Sequence, residues 1–363
     1  MIRVLQVFAE PLSFGGQESA MMNFYRAIDK TKYQFDFFTP FYADNEGMIE
    51  EIKELGGEVF YFNKPFETKL RKKYFTEELK EFLSNHKYEI VHINSGSTFA
   101  LAHSAKIAKE LGVKKVIVHS HASGVENLKH RIVRLLYDPY FVKYPDYCIG
   151  CSKLALDWKF PKNANGVVIY NGIDTKRFSY KEEVRNRIRK ELGIENEFVL
   201  GSVGRLSKEK NSLFIIDVFK EVVLQKPDSY LLMVGTGPLE EEVEKRINEY
   251  GLKDRVIHFK KRNDINELMS AMDAFILPSL FEGFGLVLVE AQASGLPCVC
   301  SDTISKEIKI TDQVTYLPLS DGATKWANVI LENLHKRSSN SLNEEMDFDI
   351  KECVNKLEGV YNN

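Results

Sequence analysis

Ala274-Phe275-Ile276-Leu277-Pro278 and, two residues on, Phe281-Glu282-Gly283-Phe284-Gly285-Leu286-Val287-Leu288-Val289-Glu290 decide the fold of this chain. The first run is apolar and stopped by proline, which reads as a buried strand; Leu286 onward, through Ala291, Gln292 and Ala293, reads as a helix. A strand, a glycine-bearing loop and an apolar helix together make one unit of a parallel sheet covered on both faces. Gly283 and Gly285 let the backbone approach a ligand closely. The N–H groups of Phe284, Gly285 and Leu286 open a helix whose dipole favours phosphate. Glu282 precedes the turn and Glu290 stands about two helical turns further on, so the two carboxylates can take opposite ends of one ligand. A helix-capping acid followed by a solvated helix acid is the plainer alternative.

Outward from this unit the same alternation fills the chain. Strands are expected near 2–8, 34–39, 57–62, 89–93, 115–119 and 146–150, with helices near 16–29, 46–55, 75–85, 98–111, 126–141 and 152–158. The pattern then restarts, with strands near 198–203, 229–234, 255–259, 273–277 and 297–300 and helices near 211–225, 238–250, 264–271 and 285–294. Two such runs argue two doubly wound α/β domains. The join is Val167-Val168-Ile169-Tyr170-Asn171-Gly172-Ile173-Asp174, a strand ending in an Asn-Gly turn, which divides the chain into 1–170 and 171–349. Lys336 to Glu345 is polar and reads as an exposed connector. Ile350, Cys353, Val354, Leu357 and Tyr361 regain helical spacing, so a C-terminal helix over 350–363 is expected to pack back on the first domain.

A length of 363 residues with 44% hydrophobic side chains is enough for two cores. The net charge of -3 conceals a +3 first half (23 Lys/Arg against 20 Asp/Glu over residues 1–170) and a -6 second half (26 against 32). Neither half is basic enough to make nucleic acid the main partner. The N-terminus enters the fold as a strand at once, and no apolar run reaches the roughly 20 residues that span a bilayer. A soluble, cytoplasmic protein is the expectation. Cys148/Cys151 and Cys298/Cys300 are closely spaced pairs, yet Tyr147-Cys148-Ile149-Gly150-Cys151 and Pro297-Cys298-Val299-Cys300 read as buried strands. Small core thiols are preferred over a metal site, because no histidine stands at finger spacing, and five cysteines, an odd number, argue against a disulfide framework.

Ligands of open α/β sheets bind at the carboxyl ends of the strands. Gly15-Gly16 follows the first strand and permits close approach to phosphate or acceptor, with a plain tight turn as the alternative. His119 and His121 end the fifth strand on one face, His121 nearer the carboxyl edge; a hydrogen-bonded structural histidine is the alternative role. Gly204-Arg205-Leu206-Ser207-Lys208-Glu209-Lys210-Asn211 puts the Arg205 guanidinium and the Lys210 ammonium in one strand-to-helix loop, where both can reach a diphosphate. Gly237, in Gly235-Thr236-Gly237-Pro238, stands where a base or ribose can lie, although a glycine turn before a helix-opening proline needs no ligand.

In their order and spacing, Gly15-Gly16, His121, Asn171-Gly172-Ile173-Asp174, Gly204-Arg205 with Lys210-Asn211, Gly235-Thr236-Gly237 and Glu282/Glu290 resemble the retaining glycosyltransferases of family four, over nearly the whole chain. The resemblance implies a GT-B fold, two Rossmann-like domains facing across a cleft, with acceptor bound by the first and nucleotide-diphosphate sugar by the second. It further implies that Arg205 and Lys210 neutralise the diphosphate and that Glu290 holds the ribose. Glu282, with the amides of Phe284, Gly285 and Leu286, would orient the sugar and its β-phosphate, and His121 would hydrogen-bond the sugar near the reacting carbon. No cofactor and no metal are implied: the departing phosphate takes the acceptor's proton on the same face. Asp347-Phe348-Asp349 therefore reads as helix capping rather than a metal motif. Cys300 to Glu307 and Phe348 to Tyr361 are similar to members that build bacterial capsular polysaccharide or exopolysaccharide, but Ser301 to Glu307 lacks the paired glycines common in the family.

The implied partners are a nucleotide-sugar donor, UDP-linked or on another nucleotide, and a glycan or lipid-linked acceptor. Lys64, Lys69, Arg71, Lys72 and Lys73, with the basic and aromatic segment Lys129 to Lys143, suit peripheral contact with an anionic membrane at the inner face of the cell membrane; a solvated loop and an ordinary amphipathic helix remain equal alternatives. Two other functions stay open. A GT-B-fold UDP-sugar epimerase would need acid/base carboxylates and no acceptor surface, and a non-catalytic nucleotide-binding partner of an assembly complex would need none of the charged side chains.

Overall fold

The computed structural model describes residues 1–13, 15–122, 128–282, 284–333, 337 and 347–363. The chain divides into two compact units, Met1–Ile173 together with Asp347–Asn363, and Asp174–Met346. In the first unit the described strands are β1 Ile2–Phe8, β2 Tyr33–Thr39, β3 Val59–Tyr61, β4 Ile90–Ser95, β5 Lys115–Ser120, β6 Tyr147–Gly150 and β7 Gly166–Val168. They form one sheet in the order β3-β2-β1-β4-β5-β6-β7, every pairing parallel. Both faces are covered, so β1 from Val4 onward and the whole of β2 are buried, the polar Gln6, Gln34 and Asp36 included.

The second unit repeats the plan with β8 Phe198–Val203, β9 Ser229–Val234, β10 Val256–Phe259, β11 Ala274–Leu277, β12 Cys298–Ser301 and β13 Val314–Leu317. The order is β10-β9-β8-β11-β12-β13, again all parallel. β13 and the helix Gly322–Glu332 are absent from the sequence reading. The strand is four residues long and pairs only with β12 at the sheet edge. The helix buries Trp326, Ala327, Val329 and Ile330 against the core formed with Phe219 and Val222. The helix Arg71–Asn85 starts before its expected first residue, so Arg71, Lys72 and Lys73 occupy its first turn. The positive end of the dipole repels cations there, against which Arg71 lies over the Phe66 ring at 5.3 Å and Lys72 over the Phe99 ring at 4.6 Å.

The C-terminal helix Ile350–Asn362 belongs to the first unit. Asp349 caps it by accepting from the Lys351 N–H at 2.9 Å. Its buried face, Ile350, Cys353, Val354, Leu357, Val360 and Tyr361, shares a core with Met21, Phe24 and Phe35. The segments leading into and out of the second unit pair with each other, Ile173 N–H to Phe348 O at 3.0 Å and Ile350 N–H to Ile173 O at 2.9 Å. All five cysteines are buried and unbridged. Of the expected polar connector only Arg337 lies among the described residues. It is not exposed: its guanidinium donates to the carbonyls of Met269, Ser270, Met272 and Ser294 and lies 4.0 Å from the Tyr180 ring, and burial lowers its pKa to about 10. It thus satisfies carbonyls left open at helix ends.

Leu357→Ala leaves a cavity under the returning helix. In chemical denaturation it should lower the transition of the first unit by about 2–5 kcal/mol and leave that of the second unit in place.

Candidate functional site

In each sheet the strand order reverses beside the first strand, between β1 and β4 and between β8 and β11, and the loops that leave such neighbours frame a crevice. In the second unit, β8 runs into Gly204-Arg205 and β11 into Pro278 to Glu282. A recess of about 280 Å³, counting its open mouth, is lined there by Ser202, Gly204, Arg205, Leu206, Lys210 and Leu277.

Glu282 is the most heavily held side chain of this edge. Its carboxylate is 6% exposed and accepts from Lys210 Nζ on both oxygens at 2.6 Å and from Ser279 Oγ at 2.6 Å. The Ser279 carbonyl is itself held by Thr303 Oγ1 at 2.9 Å. Lys210 and Glu282, 72 positions apart in sequence, thus form one ion pair. Arg205 is exposed and makes no side-chain hydrogen bond to another described residue. It offers a guanidinium that is free to take up an anion, whereas Lys210 reaches one only while sharing its charge with Glu282. Lys208 and Glu209 are exposed.

Gly285 precedes the helix Leu286–Ala293 with φ 78°, ψ 43°, a left-handed backbone that a side chain would strain. A side chain is therefore lacking where a cap would normally satisfy the first amides. The Gly285 and Leu286 N–H groups make no hydrogen bond to another described residue. Phe284 turns its ring inward and is 5% exposed; Gly283 lies outside the described residues. Glu290 is half-buried on this helix, and burial raises its pKa to about 7, against a smaller pull from Arg177. Gly237 sits where two loops zip together: Leu206 N–H donates to Thr236 O at 3.1 Å and Leu239 N–H to Leu206 O at 3.0 Å. A Cβ on Gly237 would collide with the Leu206 carbonyl, so the close approach of these loops by itself requires glycine.

In the first unit Gly15 begins the helix Gly16–Ala27 through its backbone alone. His121 is half-buried, with Nε2 3.1 Å from Asn94 Oδ1 and its ring 4.1 Å from that of His119. Burial lowers its pKa to about 4, so the imidazole is neutral near pH 7. Its partners extend inward: Asn94 Nδ2 donates to Gln6 Oε1 at 3.0 Å, Gln6 Nε2 to Tyr361 Oη at 3.1 Å, and Tyr361 Oη lies 2.8 Å from His92 Nδ1. Sequence reading missed two carboxylates at this edge. Glu10 accepts from Ser95 Oγ at 3.0 Å and Gln17 Nε2 at 3.2 Å, and Glu18 is 5% exposed. Burial raises both pKa values, that of Glu18 to about 8. The available signal was an acid directly after the first strand, in Ala9-Glu10-Pro11. Glu10, Phe41, Phe66, Arg71, Lys72 and Phe99 line a second recess of about 370 Å³ including its mouth. Among the described residues no three His, Cys, Asp or Glu side chains gather in a metal-holding group, and no helix is long and apolar enough to cross a membrane.

Two doubly wound sheets in one chain, each with a switch-point edge, are the architecture of the GT-B class. HepE from Anabaena in complex with UDP superposes with a TM-score of 0.76 over 99% of this chain and 100% of its own, at 19% identity. WaaG, a glycosyltransferase involved in lipopolysaccharide biosynthesis, superposes at 0.70 over 98% and 95%, at 15% identity. The Glycosyltransferase Family 4 model matches residues 14–177 and the Glycosyl transferases group 1 model residues 184–341. EpsF of Bacillus subtilis (strain 168), named as a glycosyltransferase, is 29% identical over 99% of this chain and 96% of its own length. The UDP-Gal:alpha-D-GlcNAc-diphosphoundecaprenol alpha-1,3-galactosyltransferase of Escherichia coli is 30% identical over 73% of this chain and 66% of its own. The chain belongs to this family of GT-B glycosyltransferases, a Family 4 domain followed by a group 1 domain.

Glu290 supplies a pH test of the site's local electrostatics. Its pKa is raised on folding, so the folded unit holds a proton that the unfolded chain releases near pH 4.5, and stability falls as pH rises from there through about 7. Glu290→Gln carries no such charge. The variant should gain stability relative to the parent across that window, by up to about 3 kcal/mol before solvent screening, as read from unfolding of the second unit at pH 5 and pH 8.

Proposed function

We propose that this chain is a retaining glycosyltransferase that moves a sugar from a nucleotide-diphosphate donor, a UDP-sugar, to a glycan or lipid-linked glycan in polysaccharide or glycolipid biosynthesis. The observation that carries the reading is the edge of the second sheet, where the Arg205 guanidinium, the Lys210–Glu282 pair and an uncapped helix start stand together. Positive groups and amide dipoles fixed around one spot are what a departing diphosphate needs. The Escherichia coli relative's name supports the finer part, since it specifies a UDP-sugar donor and a lipid-diphosphate acceptor.

In this reading Arg205 and Lys210 bind the diphosphate, and the amides of Phe284, Gly285 and Leu286 face the β-phosphate. Glu282, rigid between Lys210 and Ser279, accepts from sugar hydroxyls, and Glu290, once ionised, accepts from the ribose hydroxyls. Gly237 leaves room beside the nucleoside. His121 meets the transferring sugar as a neutral imidazole, and Gly15-Gly16 let the backbone come close to the ligand. The bond from the anomeric carbon to the β-phosphate oxygen breaks, the acceptor oxygen bonds to that carbon on the same face, and the acceptor's proton passes to the leaving phosphate. Cations already present at the phosphates make the step independent of a metal in this scheme. The aromatic and cationic recess of the first unit suits the acceptor, its rings against a sugar face and Arg71 and Lys72 toward an anionic group.

Lys210→Ala and Glu282→Ala should each lower the rate of transfer from a UDP-sugar by at least about 100-fold, the scale of losing one strong transition-state stabiliser. The product's linkage should keep the donor's anomeric configuration, as read by NMR. Near-parental turnover in both variants would return the chain to a nucleotide-binding partner, and an epimerised sugar nucleotide formed from donor alone would make it an epimerase.

A further inference from the structure

The loop after β1 builds a seat for one carboxyl, that of Glu10. Ser97 N–H donates to Ser95 Oγ at 3.0 Å, Ser95 Oγ donates to Glu10 Oε1 at 3.0 Å, and Gln17 Nε2 reaches Glu10 Oε2 at 3.2 Å. The backbone is fixed as well, since Thr39 Oγ1 donates to the Glu10 carbonyl at 2.8 Å. Lys159, 2% exposed, donates to Gly96 O at 2.6 Å and Thr98 Oγ1 at 3.2 Å, and so pins the loop on which Ser97 stands. A carboxylate offers about four acceptor positions, so the half-buried Glu10 keeps capacity open toward the recess that it lines. Burial raises its pKa, and a carboxyl in either state bonds a hydroxyl, which both donates and accepts.

Opposite charge stands in the same recess. Arg71 and Lys72 line it from the first turn of the helix Arg71–Asn85, over the rings of Phe66 and Phe99. The side chain of neither forms an ion pair or a hydrogen bond with another described residue, Glu10 included. That helix start has no side-chain cap and no acid in its first turn, so dipole and side chains add to one positive field. Two cations and a helix start exceed the charge of one carboxylate, whereas a phosphate monoester carries about -1.5 to -2. We propose that Glu10 determines which acceptor this recess takes, by bonding hydroxyls of a sugar whose phosphate lies against Arg71 and Lys72. The acceptor class is a glycosyl phosphate, free or on a carrier lipid. A neutral glycan would leave both cations unanswered, and inorganic phosphate would leave the Glu10 seat empty. The inference rests on the proposed acceptor recess and names the chemistry of its occupant.

The test is calorimetric titration of the full chain, with UDP saturating. The ligands are the 1-phosphates of glucose, galactose and N-acetylglucosamine, their methyl glycosides, and inorganic phosphate. At least one sugar 1-phosphate should bind at least about tenfold more tightly than its methyl glycoside and than inorganic phosphate. Glu10→Gln keeps the shape of the side chain and removes its charge. It should weaken binding of that sugar phosphate by at least about tenfold and leave inorganic phosphate bound as tightly or more tightly, because a nearby negative charge is gone. A carboxylate serving only the local field or only the loop would move both ligands in one direction. Glu10→Asp keeps the charge, withdraws it from the recess, and should also weaken the sugar phosphate. Arg71→Ser with Lys72→Ser should weaken sugar phosphate and inorganic phosphate alike. The same sugar joined through a diphosphate to a farnesyl chain separates the two sources: binding at least about tenfold tighter than the 1-phosphate assigns a carrier lipid, and equal binding a free sugar phosphate. The inference is overturned if no 1-phosphate exceeds both of its parts, if Glu10→Gln binds the sugar phosphate like the parent or weakens inorganic phosphate equally, or if binding survives loss of Arg71 and Lys72. UDP affinity should be parental in every variant. Failure of the chain to bind UDP would strike the donor reading instead, and the Glu10 and Arg71/Lys72 variants would still report on this recess.

Discussion

Parallel pairing is the constraint on which the rest of the molecule depends. Because all described strands of each sheet run the same way, every loop leaving a strand's carboxyl end emerges at one edge, and neighbours in the sheet need not be neighbours in sequence. β8 and β11 pair directly, and that single adjacency brings Lys210 to Glu282. Had the strands been antiparallel, the Arg205 loop and the Glu282 loop would have left from opposite edges, and no choice of side chains would have assembled the recess between them.

At the two edges the polar groups sit in contrasting electrostatic states. In the second unit Lys210 and Glu282 are a pair held at hydrogen-bond distance, which lets a buried carboxylate stay in place at tolerable desolvation cost. Arg205 beside it remains outside any such pair. In the first unit burial outweighs the weaker pull of Arg71 and Lys159 on Glu10, so Glu10 and Glu18 are driven toward the protonated form and His121 toward the neutral one. One edge is suited to fixed opposite charges, the other to neutral groups that exchange hydrogen bonds.

The fold was largely legible because its signals are local. Apolar runs such as Val4 to Phe8 and Ala274 to Leu277 are strands that neither face could leave wet, and the Asn171-Gly172 turn marks the region where one unit yields to the next. β13 and the helix Gly322–Glu332 escaped because a four-residue edge strand carries little periodicity of its own and gains its identity from β12. At the sites, residue types following strands were readable: Arg205, Glu282, His121. Pairings were not. Nothing in the local sequence says that Lys210 leans on a carboxylate 72 positions away, that Leu206 forces a glycine at 237, or that Asn94, Gln6 and Tyr361 stand in line behind His121. The segment Lys129 to Lys143 was readable as basic and aromatic, but that Leu128, Ile132, Leu135, Leu136 and Val142 stay exposed is decided by packing.

The placement of the last helix has a consequence for how the polypeptide comes into being. The second unit is an insertion within the first, entered after Ile173 and left before Asp347. During synthesis the seven described strands of the first sheet leave the ribosome early, yet the apolar flank waiting for Ile350, Val354, Leu357 and Tyr361 stays open until that helix has followed the inserted unit. The inserted unit, whose strands and helices lie wholly between those two points, can reach its native state while its host is still incomplete. The nascent chain therefore carries an unfinished first core while the second unit emerges, and the helix Ile350–Asn362 closes that core.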